Sequence, residues 1–208
     1  GDSRADLIVG APGNDEVDYN SGKAYVVLGA TLEGVSSFEL ANADYALIGD
    51  AYFTSAGYSV AGGTDVDRDG VPDLLIGAPN SDTYRGKAHL VLGASLGATA
   101  EISLASSSYT FWGEASSDYA GVGVALPGDV NGDGYDDLLI GASYADTHTK
   151  SNCGKVFLIY GASDMNSWSD INLDSDPKVA VTFIGEKNDH YAGYTLAITP
   201  DINKDGVD

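Results

Sequence analysis

Nine residues at 65–73, DVDRDGVPD, return as DVNGDGYDD at 129–137 and begin again as DINKDGVD at 201–208. In the first copy Asp65, Asp67, Asp69 and Asp73 stand at positions 1, 3, 5 and 9; in the second Asp129, Asn131, Asp133 and Asp137 fill those places. Hard oxygen donors at alternating positions suit Ca²⁺, which accepts six to eight of them in a flexible cage. Gly70 and Gly134 follow position 5, where the chain must turn sharply, and the carbonyls of Val71 and Tyr135 at position 7 are natural further ligands. Without an ion the clustered carboxylates repel one another, and a dication removes that penalty. Magnesium fits less well, because it demands octahedral geometry and keeps its waters. An EF-hand is excluded, since position 12 is Ile76 or Ile140 where that loop needs a bidentate glutamate.

The third copy supplies Asp201, Asn203 and Asp205 as candidate ligands. Aligning Asp6 with Asp73 places Asp2 at position 5 and Arg4, through its carbonyl, at position 7 of a further loop. On this reading the sequence begins and ends inside such loops.

These loops sit in a larger repeat. After each loop comes a short apolar run, LIVGAP (7–12), LLIGAP (74–79) or LLIGAS (138–143). GKAYVVLGA (22–30), GKAHLVLGA (86–94) and GKVFLIYGA (154–162) follow, then YALIGD (45–50), YTFWGE (109–114) and VTFIGE (181–186). Each unit closes with AGYSVAG, AGVGVAL or AGYTLAI, starting at Ala56, Ala120 and Ala192. Four short strands per repeat and no sustained helical period predict an all-β chain, a β-propeller of four-stranded blades with about three blades' worth of strands. Continuous apolar runs such as LLIG fit strands covered on both faces by neighbouring blades. A β-sandwich would not need one loop chemistry at the same point of every four strands.

The AG-aromatic pairs at Gly57-Tyr58 and Gly193-Tyr194, the calcium loops, and Gly10-Ala11-Pro12 with Gly77-Ala78-Pro79 resemble the FG-GAP repeat of integrin α-subunit head domains and secreted microbial proteins. The resemblance spans nearly the whole chain, which reads as one propeller segment over 1–208. Departures are Ala56, Ala120 and Ala192 in place of the family's Phe, Val122 after Gly121, and Ser143 in place of Pro. The resemblance implies a propeller fold, calcium binding and extracellular recognition, and names no ligand. The family needs about seven blades, so the missing ones come either from a longer chain or from a second copy assembled head to tail. In the second case Asp201, Asn203 and Asp205 would share an ion with Asp2 or Asp6 of the next copy.

With 31 acidic against 10 basic residues the net charge is −21, which excludes nucleic acid and anionic membrane surfaces as natural partners. No apolar run reaches membrane-spanning length, so membrane insertion is not expected. The lone Cys153 cannot form an internal disulfide, and its loop position predicts an exposed thiol at a turn.

Recognition must come from surfaces. In an up-and-down blade the calcium loops join strands 1 and 2, leaving the 2–3 and 4–1 connections on the opposite face. There the 2–3 loops carry Tyr19, Tyr84, Arg85, Tyr144 and His148, and the 4–1 loops carry Tyr52, Phe53, Tyr119, His190 and Tyr191. Of these, Tyr52, Tyr84, Arg85, Tyr119, Tyr144, His148 and Tyr191 are the candidate contacts to an extracellular protein or glycan, against the bland reading that tyrosines pack between blades. No histidine has a partnered nucleophile, so an enzyme is not expected. Acid pairs such as Asp118 with Glu114 leave a propeller-based polysaccharide-degrading enzyme as the alternative, and a structural spacer of a surface protein is the third reading.

Overall fold

A computed structural model describes residues 4–97, 99–165 and 168–199. Thirteen strands form in chain order: β1 (Leu7–Ala11), β2 (Lys23–Val27), β3 (Tyr45–Ile48), β4 (Ser59–Thr64), β5 (Asp73–Ala78), β6 (Lys87–Val91), β7 (Glu101–Ser103), β8 (Tyr109–Trp112), β9 (Ala120–Gly128), β10 (Asp137–Ala142), β11 (Lys155–Ile159), β12 (Ile171–Asn172) and β13 (Val179–Ile184). They make three propeller blades. The middle blade runs β4-β5-β6-β8, the third β9-β10-β11-β13, and the first β1-β2-β3, each joined by antiparallel ladders.

The apolar runs are central strands. All six residues of β5 and all five of β6 are buried. Side chains alternate across a strand, so β5 sends Leu74, Ile76 and Ala78 toward the first blade and Leu75 toward the third. The core is therefore two layers between blades. Leu47, Leu74, Ile76, Val91 and Leu104 fill one, and Leu75, Leu90, Phe111, Ile140 and Phe157 belong to the other.

The glycines of the apolar runs have a steric reason. A Cβ on Gly10, Gly77 or Gly141 would lie 1.9, 2.0 or 2.1 Å from the carbonyl oxygen of Gly57, Gly121 or Gly193 in the AG pair of the next repeat. Blades meet here backbone to backbone, while within the middle blade the Gly57 N–H donates to the Gly77 carbonyl at 3.0 Å. Ala56 and Ala120, where the family has Phe, are fully buried.

Two strands were not predicted. β7 comes from the connection after β6, yet pairs in parallel with β3 of the blade before; β12 does the same to β8. Each of these connections thus straps its blade to the preceding one. Lys87 and Lys155 add largely buried inter-blade ion pairs to Asp50 and Glu114, whereas Lys23 bonds Glu16.

Two expectations are corrected. AGYTLAI forms no strand among the described residues: Gly193 packs on Gly141 and Ala192 bridges Gly154, but no ladder partner lies beside the rest. Cys153 is not exposed; it is buried, with Sγ 3.6 Å from the Ala145 carbonyl, because the loop folds inward over the end of β11.

Candidate functional site

The two complete acidic loops connect β4 to β5 and β9 to β10. Each is shaped by its own side chains. The Asp65 carboxylate accepts the N–H groups of Asp69 (3.1 Å) and Gly70 (2.8 Å), Asp67 that of Asp69 (3.2 Å), and Asp69 that of Val71 (2.8 Å). The second loop repeats this: Asp129 accepts from Asp133 (3.0 Å) and Gly134 (2.7 Å), Asn131 from Asp133 (2.9 Å), and Asp133 from Tyr135 (3.0 Å). Gly70 and Gly134 have φ of 90° and 93°, which explains glycine after position 5.

Position 9 anchors each loop to its blade. Asp73 accepts the N–H groups of Val66 and Gly93, both at 2.8 Å, and Asp137 those of Val130 (2.9 Å) and Gly161 (3.0 Å). Both carboxylates are fully buried. Burial pushes each up to about 6; the backbone donors pull the other way, and the neighbouring Asp67 and Asp65, or Asp133 and Asp129, add to the rise. Asp67 is likewise raised, by burial first. In the first loop Asp65, Asp67 and Asp73 bring carboxylate oxygens within 4.8 Å of one another. One buried and two half-buried carboxylates that repel one another and offer only oxygen are a set that a hard dication neutralises, so these residues fit calcium.

The loops also touch each other, which the sequence reading missed. The Asp65 N–H donates to the Asp136 carboxylate at 2.7 Å, and the Asp136 N–H to the Asp65 carbonyl at 3.3 Å. The Arg68 guanidinium lies 5.9 Å from the Tyr135 ring centroid. An acid at position 8 was the only available signal.

Among the outlying candidates, Asp6 accepts the Gly29 N–H at 2.9 Å, as Asp73 does from Gly93, and the Arg4 side chain bonds Glu33 at 3.0 Å. Asp2, Asp201, Asn203 and Asp205 lie outside the described residues.

On the opposite face the loop aromatics form one chain of ring contacts. Tyr52 and Phe53 flank Tyr19, Phe53 meets Tyr84 edge to face, and Tyr84, Tyr119, Tyr144 and Tyr191 continue at centroid spacings of 5.1, 5.0 and 4.9 Å. The chain crosses all three blades. Phe53, Tyr84, Tyr119 and Tyr191 hold φ between 51° and 61°, uncommon for bulky residues, and backbone bonds enforce it: Phe53 N–H to the Tyr19 carbonyl and Tyr119 N–H to that of Tyr84, both 2.8 Å. Tyr19 and Tyr52 are more than half exposed.

Two candidates stand apart from these rings. Arg85 donates Nε to the Gly113 carbonyl at 2.6 Å and lies over Trp112, an anchoring role. His148 lines a groove on the third repeat with Asp146, Lys155, Asp174 and Ile184. His89 is buried in β6, its Nδ1 3.0 Å from Ser107 Oγ, away from any site.

The sequence model of the FG-GAP repeat family matches residues 1–27, 56–91 and 120–159. Human phosphatidylinositol-glycan-specific phospholipase D is 29% identical over 94% of this chain, which spans 23% of that protein. Integrin alpha-5 of Xenopus laevis is 30% identical over 76% of the chain and 13% of its own length. Integrin alpha-V of Gallus gallus is 40% identical over 41% of the chain and 7% of its own length.

Proposed function

Because this chain is built of FG-GAP repeats folded as β-propeller blades, we propose that it is a calcium-stabilised extracellular binding module, meeting a protein or glycan through the aromatic chain opposite its acidic loops. The observation that carries this reading is the unbroken run of rings from Tyr52 to Tyr191. Rings spent on folding would be scattered between blades. These lie in connecting loops, four of them at strained backbone positions, with a rigid scaffold beneath, which is where recognition residues are concentrated.

Calcium is supported by the oxygen-only loops and the buried position 9 carboxylates. The net charge of −21 suits a secreted or surface protein, and among the described residues no helix is long and apolar enough to cross a membrane. Further blades are supported by Phe183, which is 51% exposed where its repeat equivalent Phe111 is fully buried. A blade from a longer chain or from a second copy would cover it.

The test is binding of the calcium-loaded protein to a glycan array and to immobilised extracellular matrix proteins. Tyr119→Ala and Tyr144→Ala should abolish any binding while leaving the melting temperature within a few degrees. Binding that survives both substitutions would remove the aromatic face from the reading.

Relatedness to a phosphatidylinositol-glycan-specific phospholipase D favours one second reading, in which the module serves an enzyme acting on glycan-bearing substrates. Its acid pair is largely engaged already: Glu114 bonds Lys155, and Asp118 accepts the Ala115 N–H at 2.9 Å. Turnover of a polysaccharide panel or of a phosphatidylinositol-glycan by this chain would replace the binding-module reading.

A further inference from the structure

Calcium loops on separate blades have no obligation to communicate, yet here the first and second loops share a contact built from their ligand-bearing residues. Asp65 occupies position 1, and its carboxylate holds the N–H groups of Asp69 and Gly70, so its orientation sets that of the whole first loop. Its backbone is fixed from outside: Asp136 receives the Asp65 N–H at 2.7 Å and returns its own N–H to the Asp65 carbonyl at 3.3 Å. Asp136 sits between Tyr135 and Asp137, the position 7 carbonyl and position 9 carboxylate of the second loop.

Two further contacts hold the same junction. Arg68, at position 4 of the first loop, lies over the Tyr135 ring. Both loops also converge on Gly161, where a Cβ would lie 2.2 Å from the Asp136 carbonyl oxygen and 2.7 Å from that of Val66. The repeat does not require an acid at position 8, because the first loop has Pro72 there. The second and third copies carry Asp136 and Asp208 at that position, so the acid is optional in the repeat.

We propose that Asp136 couples the two loops, so that an ion bound in either raises the affinity of the other. This rests on the calcium reading above. An ion ordering Tyr135–Asp137 fixes the Asp136 carboxylate, which fixes Asp65 in its ligating pose; by thermodynamic linkage the effect is reciprocal.

The experiment titrates the whole chain with calcium chloride by calorimetry, while the amides of Gly70 and Gly134 report each loop separately by NMR. Disabling the second loop with Asp129→Ala plus Asp133→Ala should weaken the first by at least about fivefold. Asp136→Ala should weaken the first loop by a similar factor, leave the second loop's residual affinity within about twofold of the first-loop-disabled protein, and make the second-loop substitutions without further effect on the first. Asp136→Asn, which keeps an acceptor for the Asp65 N–H, should retain most of the coupling and guards against misfolding of the alanine variant. Two calcium ions binding independently in the wild type, or the first loop binding more tightly once the second is disabled, would overturn the coupling alone. No calcium binding at either loop would overturn the calcium reading and the coupling with it.

Discussion

The Lys87 ammonium of the middle blade bonds the Asp50 carboxylate at the end of β3, and one repeat later Lys155 bonds Glu114 in the same way. The lysine side chains are 4% and 13% exposed, so these are inter-blade bolts held largely out of water. Removing one partner strands a buried charge, whereas replacing both by apolar groups does not. Lys87→Ala should destabilise the protein by about 3 kcal/mol, and Lys87→Met with Asp50→Leu by much less. Chemical denaturation of the two variants checks the sign of the difference.

Acid should weaken the same junction. Burial holds His89 down to about 3, with the Lys87 charge acting in the same direction and Asp50 opposing it. A histidine depressed in the folded state contributes stability that is present above its unfolded value of about 6.5 and is lost as pH falls toward 3. Burial by itself would raise Asp50, but the hydrogen bond and charge of Lys87 win and hold it below the usual carboxylate range, so its contribution also fades at low pH. Between pH 6.5 and pH 4 the raised Asp73 and Asp137 carboxylates act in the opposite direction and equally in both proteins, so the melting temperature of wild type should fall relative to that of His89→Asn. Parallel slopes for the two proteins would contradict a buried neutral His89.

The blade contact at Gly77 sets a second limit on stability. Its Cβ position lies 2.0 Å from the Gly121 carbonyl oxygen, and that oxygen also accepts the Ser59 hydroxyl at 2.8 Å. Gly77→Ala must push two blades apart, at a cost of at least about 3 kcal/mol. Gly13→Ala, whose nearest neighbour is 3.8 Å away, should stay within about 0.5 kcal/mol of wild type in the same denaturation series.

Eleven of the twelve expected strands were legible because each combines an apolar run with a fixed distance from the acidic loop. The twelfth, AGYTLAI, has the pattern but no ladder partner among the described residues, and a strand needs both. β7 and β12 escaped because two or three residues such as Glu101–Ser103 carry no periodicity; their pairing is set by where the 92–108 and 160–178 connections fall on the blade before. The composition of the aromatic face followed from strand order. Its continuity did not, since the spacing of Tyr119 to Tyr144 depends on φ values that no residue type announces. Cys153 was misread for a related reason: a polar loop sequence does not reveal that Ala145 and Cys153 tuck beneath it.

The decisive measurement for the loops is one in which calcium changes the sign of a mutation. Asp67 accepts a single N–H, that of Asp69, and its repeat equivalent is Asn131, so Asp67→Asn keeps the turn and removes only charge. Without calcium that charge is a burden, because Asp67 is raised by burial and by its neighbours Asp69 and Asp65. On the calcium reading proposed above, the same charge becomes a ligand once the ion binds. In EGTA the variant should match or exceed wild type by a few tenths of a kcal/mol, and in millimolar calcium it should be the less stable protein, with affinity at that loop reduced roughly tenfold. Wild type itself should gain about 1.4 kcal/mol per site at ten times Kd, or roughly 6–10 °C from two sites together, with magnesium a poor substitute. Thermal melts of both proteins in EGTA and in calcium test the crossing directly. Two proteins that respond to calcium identically would show that Asp67 is no ligand.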